Sequence, residues 1–197
     1  MRIAIFDDGA GNVHSLEKVL SEAGEVVHVQ DVEAMCAADL LVLPGVGAFD
    51  PAMERLGDGA SRLADALRDD LACLAICLGM QLLFDASDEG ERAGIGLLPG
   101  RVRRLAAARL PHIGWEVVAD AAEPTLQASG LTWGYYAHSF ACPTAGTHRV
   151  TSTSQVESAT IPATLRAHRT LGVQFHPEKS STQGVAMVRS FLTEVAS

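Results

Sequence analysis

The residues 74–84 hold a cysteine between two different apolar patterns. Before it, residues 73–76 form a short apolar run typical of a buried strand, and from Leu78 onward apolar residues repeat at helical spacing. A side chain at a sharp strand-to-helix turn projects above the sheet with the helix N-terminus behind it. There the helix dipole favours a thiolate, and free backbone N–H groups can hold an oxyanion. Cys77 is therefore a candidate nucleophile, although taken alone a cysteine in an apolar run is more often a packing residue.

A histidine and a glutamate lie close together near the end of the chain. The apolar run 171–175 is followed by His176, and Glu178 stands two positions later. On extended backbone, residues i and i+2 point the same way, so Glu178 is expected to reach the imidazole of His176. Cysteine, histidine and an orienting carboxylate supply a nucleophile, a base and a group that holds the base. The alternative, a hydrogen-bonded histidine at a strand end, is weakened because both features occur in one chain.

The elements that must position these residues alternate between strand and helix. The patterns predict strands over 2–6, 25–29, 39–43, 73–76, 150–156, 163–167 and 171–175, and helices over 12–24, 59–71, 182–195 and from 78 onward. This alternation predicts an α/β fold in one domain, residues 1–197, with a mainly parallel central sheet flanked by helices. In such sheets sites lie beyond the carboxyl ends of the strands, where Cys77 and His176 both fall.

Two segments have less regular patterns. Residues 85–92 are polar and predict a loop with a solvated surface. Residues 105–141 predict short strands and turns, and they contain both tryptophans and both tyrosines. Such a segment is either a layer that covers the sheet or the setting of a site or an interface, and the sequence leaves both open.

Composition limits the possible functions. The chain has 197 residues, 48% of them hydrophobic, which suits one compact domain, and its net charge of −9 disfavours nucleic-acid binding. The longest apolar run, 71–78, is too short to span a bilayer. No C-x-x-C pair or signal sequence is found, so we expect reduced thiols and a cytoplasmic location. The histidines are scattered without ligand spacing, so no metal site is expected.

Two glycine-rich turns each have an ordinary explanation. The turn Gly9-Ala10-Gly11-Asn12 follows the first strand, but a third glycine at dinucleotide-binding spacing is missing, so a tight turn is favoured and no cofactor is expected. The turn Gly45-Val46-Gly47 follows the third strand, and its glycines would let the backbone swing and a ligand approach closely. On spacing alone, the second turn is also an ordinary one.

Two motifs resemble those of a known family. The stretch Cys-Leu-Gly-Met-Gln at 77–81 and the stretch Gln-Phe-His-Pro-Glu at 174–178 are similar to the class I, triad-type glutamine amidotransferases. The stretches 7–12, 43–49, 111–115 and 135–140 resemble one branch, the glutaminase subunits of imidazole glycerol phosphate synthases. The chain has Asp8 where the family usually has tyrosine, and Ala75 where it usually has glycine. Because alanine is small, we expect the turn at Cys77 to survive.

The resemblance implies an activity and a partner. The chain would hydrolyse L-glutamine to glutamate and ammonia with the triad Cys77, His176 and Glu178. Ammonia would pass to a separate cyclase subunit in a heterodimer, which makes imidazole glycerol phosphate and an aminoimidazole carboxamide ribotide in histidine biosynthesis. No cofactor, nucleic acid or membrane is implied.

The resemblance also implies roles for residues outside the triad. The oxyanion would be held by the backbone N–H groups of Val46 and Leu78. Glutamine would contact Gly45, Gly47, Gln81, Glu89 and Ser139, with Glu89 holding its amino group. The partner would contact Asn12, Trp115, Tyr135 and Lys179 around the cleft.

Two alternative functions are considered. A glutaminase subunit of anthranilate or aminodeoxychorismate synthase is the nearest one, and the stretch 111–115 argues against it. A non-catalytic regulatory module that keeps the fold is a second, and the intact Cys77, His176 and Glu178 argue against it.

The sequence predicts that Cys77 is the sole nucleophile. The Cys77→Ala variant should lose glutamine hydrolysis and keep its fold, whereas Cys36→Ala and Cys142→Ala should retain activity. A glutamine-mimicking electrophile should label a single site, as measured by mass spectrometry. Labelling that persists in Cys77→Ala would contradict the assignment.

Overall fold

The structure is a computed structural model that describes residues 1–7, 14–45 and 47–197. Strands and helices alternate through most of these residues. The strands are β1 (Arg2–Phe6), β2 (Glu25–Val29), β3 (Leu40–Leu43), β4 (Ala72–Ile76), β5 (Phe84–Ser87), β6 (Leu98–Arg104), β7 (His112–Val117), β8 (Trp133–His138), β9 (Phe140–Ala141), β10 (Arg149–Val156), β11 (Ala159–Ala167) and β12 (Thr170–Val173). The helices are α1 (His14–Leu20), α2 (Val32–Cys36), α3 (Phe49–Leu56), α4 (Ala60–Asp69), α5 (Leu78–Leu82), α6 (Pro124–Ser129) and α7 (Ser181–Ala196), with 3₁₀ helices at Gly57–Gly59 and Pro177–Lys179.

A seven-stranded sheet forms the centre of the fold. Its strand order is β10-β11-β12-β4-β3-β1-β2, and strands β12, β4, β3, β1 and β2 run parallel. Strands β10 and β11 extend one edge in antiparallel pairing. The predicted α/β fold with a mainly parallel central sheet is thereby confirmed. Because β4 and β12 are parallel neighbours, the residues that follow them emerge at the same edge of the sheet.

The hydrophobic core lies on both faces of this sheet. In β4 all five residues are buried, and successive side chains point to opposite faces. Cys73 and Ala75 join one cluster of buried residues, and Leu74 and Ile76 join the other. Burial on both faces explains why the strand is a continuous apolar run without alternation. Within the described residues, no helix is long and apolar enough to cross a membrane.

Several sequence predictions differ from the structure. The predicted loop at 85–92 is wrong in its first part, because β5 runs through it and pairs with β6. The aspartates there have partners: Asp85 Oδ2 accepts a hydrogen bond from the Gly100 N–H at 2.9 Å, and Asp88 pairs with Arg101. The predicted helix 12–24 is described only from His14 and ends at Leu20. Helices α2, α3 and α6 are absent from the sequence prediction, since five to eight residues hold too few turns for a periodic signal.

Helix α5 packs closely on the end of β3. A methyl group added to Gly79 would overlap the carbonyl oxygen of Leu43. The Gly79 N–H also donates a hydrogen bond to the Pro44 carbonyl at 3.2 Å. Glycine at position 79 therefore lets the helix after Cys77 lie directly against the sheet.

We predict that Gly79→Ala lowers the free energy of unfolding by about 1–3 kcal/mol, the usual cost of forcing extra volume into a packed site. Urea unfolding followed by circular dichroism measures this change. The matched control is Gly114→Ala, because a methyl group on Gly114 meets nothing within 4 Å. Equal stability of the two variants would contradict the packing explanation.

Candidate active site

Cys77 lies at a sharp turn between β4 and α5. Its backbone has φ 48° and ψ −105°, in the positive-φ region that residues with a Cβ rarely adopt. Its N–H donates to the Val173 carbonyl of the neighbouring strand at 2.7 Å. Residue 75, where the resembling family usually has glycine, is a fully buried alanine in β4, and the turn at Cys77 still forms. The local geometry is that of a nucleophile elbow.

His176 and Glu178 form a hydrogen-bonded pair beside this turn. The Nδ1 atom of His176 is 2.9 Å from Oε1 of Glu178. The predicted contact exists, but the extended backbone assumed for it is wrong: β12 ends at Val173, and Pro177–Lys179 is a 3₁₀ helix. The side chains meet because this tight turn folds Glu178 back beneath the ring.

Charge on the imidazole is favoured by both of its neighbours. Burial acts to lower the pKa of His176, but hydrogen bonds to Cys77 and Glu178 outweigh burial and raise the pKa to about 9. Since Nδ1 faces Glu178, Nε2 remains for the sulfur of Cys77. Cys77, His176 and Glu178 therefore lie in the order that a nucleophile, a base and an orienting carboxylate require.

Gly45 lies against the side chains of both Cys77 and His176. A methyl group on Gly45 would lie 2.8 Å from Cβ of Cys77 and 3.0 Å from Cε1 of His176. Gly47 has φ 104°, a conformation that favours glycine. Position 45 therefore requires glycine because of its packing against Cys77 and His176, whether or not a ligand also approaches it. Val46 lies outside the described residues, so the predicted role of its N–H as an oxyanion donor stays a prediction.

A cleft opens in front of Cys77 and encloses about 490 Å³, including the space open to solvent. The lining residues are Gly45, Gly47, Cys77, Leu78, Gln81, Glu89, Pro111, Ala137, His138, Ser139 and Phe140. The structure thus brings together at one cleft every described residue that the sequence predicts to contact glutamine. The Leu78 N–H lies in the first turn of α5, where helix amides have no partner within the helix.

Glu89 and Gln81 are held in place by neighbouring backbone groups. The Phe49 N–H, at the start of α3, donates to Glu89 Oε2 at 3.2 Å, and burial raises the pKa of Glu89. Gln81 is buried and donates through Nε2 to the Phe140 carbonyl at 3.0 Å. Gln81 therefore has a fixed orientation, and one carboxylate oxygen of the exposed Glu89 is held by the Phe49 N–H.

The predicted partner residues form one patch beside the cleft, without lining it. The rings of Trp115 and Tyr135 are 5.9 Å apart, and Lys179 Nζ is 6.0 Å from the centre of the Tyr135 ring. The three residues thus lie together outside the cleft lining, and their contact with a partner stays a prediction. Asn12 lies outside the described residues.

Sequence reasoning missed two buried residues that support the site. The Ser180 hydroxyl donates to the His176 carbonyl at 2.6 Å and accepts from the Tyr135 N–H at 2.9 Å. The His176 N–H in turn donates to the Tyr135 carbonyl at 2.8 Å. Gln174 lies wholly buried between Cys77 and Gln81. Gln174 is the first residue of the motif at 174–178, and the only signal for Ser180 was its position close to His176.

Comparison with known proteins assigns the family. Residues 4–195 match the family described as Glutamine amidotransferase class-I. Solved structures with this fold include one described as a glutamine amidotransferase, with a TM-score of 0.70 and 20% identity over 99% of each chain. The structure of PurLQS from Thermotoga maritima has a TM-score of 0.69 and 19% identity over 98% of each chain. The chain belongs to the class-I glutamine amidotransferase family.

Similarity to relatives within that family is higher. The imidazole glycerol phosphate synthase subunit HisH of Synechococcus sp. (strain CC9902) is 40% identical over 98% of this chain and 94% of its own length. The subunit of the same description from Acaryochloris marina (strain MBIC 11017) is 40% identical over the same shares. The chain therefore falls among the HisH subunits, as its resemblance to that branch predicts.

We predict that Glu178→Gln lowers the pKa of His176 from about 9 toward the ordinary value near 6.5. The carboxylate favours the imidazolium form, so removing its charge makes the proton easier to lose. NMR titration of the histidine ring measures the change. Glu25→Gln, an exposed change at the far edge of the sheet, is the control. An unchanged His176 titration in Glu178→Gln would contradict the assigned pairing.

Proposed function

We propose that this chain is the glutaminase subunit of an imidazole glycerol phosphate synthase, acting on L-glutamine in the cytoplasm. The observation that carries the proposal is the arrangement of Cys77, which lines the cleft, beside the buried His176, which is hydrogen-bonded to Glu178. The family match over residues 4–195 supports treating the chain, 1–197, as one glutamine amidotransferase domain. The free cysteines, Cys36, Cys73, Cys77 and Cys142, are in keeping with a reducing compartment.

In the proposed reaction, His176 takes the proton of the Cys77 thiol. The sulfur attacks the side-chain amide carbon of glutamine, a C–S bond forms, and the carbonyl electron pair moves onto oxygen. The N–H groups of Leu78 and Val46 hold this oxyanion. As the C–N bond breaks, His176 returns the proton to the leaving nitrogen, which departs as ammonia.

The second half of the reaction releases glutamate. Water attacks the thioester while His176 takes one of its protons, the C–S bond breaks to free glutamate, and His176 returns the proton to the sulfur of Cys77. Glu178 orients the imidazole and stabilises its charged form throughout, without taking the proton itself. Glu89 supplies a carboxylate at the cleft for the amino group of the substrate.

The cyclase subunit would dock on the β7–β8 hairpin. The four large hydrophobic side chains that are exposed among the described residues all lie there: Ile113 at 61%, Trp115 at 46%, Val117 at 46% and Trp133 at 52%. Alternate residues of a strand share a face, and the register places Tyr135 opposite Trp115. This apolar face, together with Lys179, suits a partner that offers apolar contacts and a carboxylate.

The hairpin also connects this face to the catalytic turn. The backbone of Tyr135 holds His176 and Ser180 by hydrogen bonds, while its side chain faces Lys179. A partner that binds the Tyr135 side chain therefore acts on a residue bonded directly to the triad. This connection supports the proposal that the chain alone is a weak glutaminase. In the complex, the partner would activate it by favouring a productive oxyanion site.

We predict that glutamine hydrolysis is slow for the isolated chain, faster with the cyclase and fastest with the cyclase and its nucleotide substrate. One missing oxyanion donor corresponds to about 10²–10³ in rate. Steady-state glutamate release under the three conditions measures this. Trp115→Ala should weaken cyclase binding about tenfold or more, as expected for an aromatic anchor. Glu25→Ala, on the opposite edge of the sheet, is the control.

Two outcomes would contradict parts of this proposal. Equal rates under the three conditions would reject the activation. Full activation of Lys179→Ala would remove that lysine from the mechanism, while leaving the docking face in place.

A further inference from the structure

Gln174 makes a contact that the proposed reaction does not use. It directly follows β12 and is wholly buried, with 0% of its surface exposed. Its Nε2 donates a hydrogen bond to the sulfur of Cys77 at 3.5 Å, and its Oε1 accepts one from Gln81 Nε2 at 3.2 Å. The side chain therefore bridges the nucleophile and the first helix after it.

The orientation of the Gln174 amide follows from its neighbours. A carboxamide can be placed either way round unless its partners distinguish oxygen from nitrogen. The Phe140 carbonyl can only accept, so Gln81 must present its NH₂ group there. The same NH₂ group donates to Gln174, which places the oxygen of Gln174 toward Gln81 and its NH₂ group toward the sulfur.

The backbone keeps this donor in place. The Gln174 N–H donates to the Ala163 carbonyl at 2.9 Å, and the preceding carbonyl, that of Val173, accepts from the Cys77 N–H. Cys77 is thus bonded to the last residue of β12, and Gln174, the next residue along the chain, is bonded to β11. The donor faces the sulfur without any rearrangement, which is what preorganised stabilisation of a developing charge requires.

We propose that Gln174 is a further catalytic residue: its amide N–H stabilises the thiolate of Cys77, and Gln81 is a positioning residue that holds the Gln174 amide in this orientation. Cys77 is only 5% exposed, so water solvates its charge poorly and a fixed donor has a large effect. The same bond would act when the thiolate leaves the thioester. The proposal deepens the glutaminase function, on which its catalytic meaning rests.

The test measures the thiolate directly, without glutamine. Alkylation of Cys77 by iodoacetamide is followed by mass spectrometry as a function of pH in the wild type and in Gln174→Met, which keeps the length of the side chain and removes the donor. We expect the alkylation rate at pH 7 to fall about 3- to 10-fold. The pH at which the rate rises should increase by about one unit, which is the size expected from losing one charge-assisted hydrogen bond. The fall in rate is smaller than the loss of thiolate alone would give, because a more basic thiolate is also more nucleophilic. Gln174→Glu should slow it further, because a carboxylate would face the sulfur.

The positioning role of Gln81 has its own test. Gln81→Met alone should slow alkylation less than Gln174→Met does, and the double variant should be no slower than Gln174→Met, since both changes remove one interaction. Gln155→Met, an exposed glutamine on β10, is the matched control and should behave as the wild type. Circular dichroism checks that each variant is folded.

The outcomes separate this inference from the proposed function. An unshifted alkylation profile in folded Gln174→Met would overturn the role of Gln174, whatever the glutaminase activity. If Gln174→Met does not fold, Gln174→Leu, which also removes the donor without adding a charge, takes its place, and an unshifted profile there overturns the role in the same way. The opposite outcome is also distinguishable. If the wild type hydrolyses no glutamine in the presence of the cyclase, but Gln174→Met still shifts the alkylation profile, the proposed function is rejected and the role of Gln174 at the thiolate is kept.

Discussion

The positive-φ backbone of Cys77 is the constraint on which the site depends. A non-glycine residue in such a conformation costs on the order of 1–3 kcal/mol and persists only where its surroundings hold it. Here β4 is buried on both faces, Val173 accepts the Cys77 N–H, and Gly79 lets α5 reach the end of β3. Gly45 is kept small for the same reason, since any larger residue would displace Cys77 and His176.

Charge at this site is stabilised by partners more than by solvent. His176 is 3% exposed, yet its pKa is raised because Cys77 and Glu178 both favour its charged form. At the other buried cysteines the largest effect is burial, which raises the pKa of the Cys73 thiol and that of the Cys142 thiol. Two buried cysteines are thereby kept as inert thiols, while the third lies beside His176. The difference between a packing cysteine and a nucleophile lies in these neighbours.

The β7–β8 hairpin links surface and chemistry by its backbone. Its outward face is apolar and exposed, and its inner edge is bonded to the turn that follows β12. The hairpin is anchored inward by Tyr136, which is buried and lies 5.9 Å from the Phe175 ring, so its two faces are joined by one rigid strand pair. This arrangement gives a partner a physical route to the triad and explains why the aromatic segment 105–141 is both a cover for the sheet and a proposed interface.

Much of this protein is determined by the sequence alone. The alternation of strand and helix patterns predicts the parallel sheet. The family is predicted by two motifs, a cysteine after one buried strand and a His-Pro-Glu turn after another. Both predictions succeed because each signal lies within a short stretch of sequence. The contacts of Gln174, Ser180 and Gly45 were decided only by the tertiary structure, since they join residues that are distant in the chain and depend on which strands are neighbours. The sequence predicts the hydrogen bond of Glu178 to His176 for the wrong reason: a tight 3₁₀ turn, not an extended strand, brings them together. Local patterns specify elements, whereas the distances within a site follow from how buried strands pack side by side.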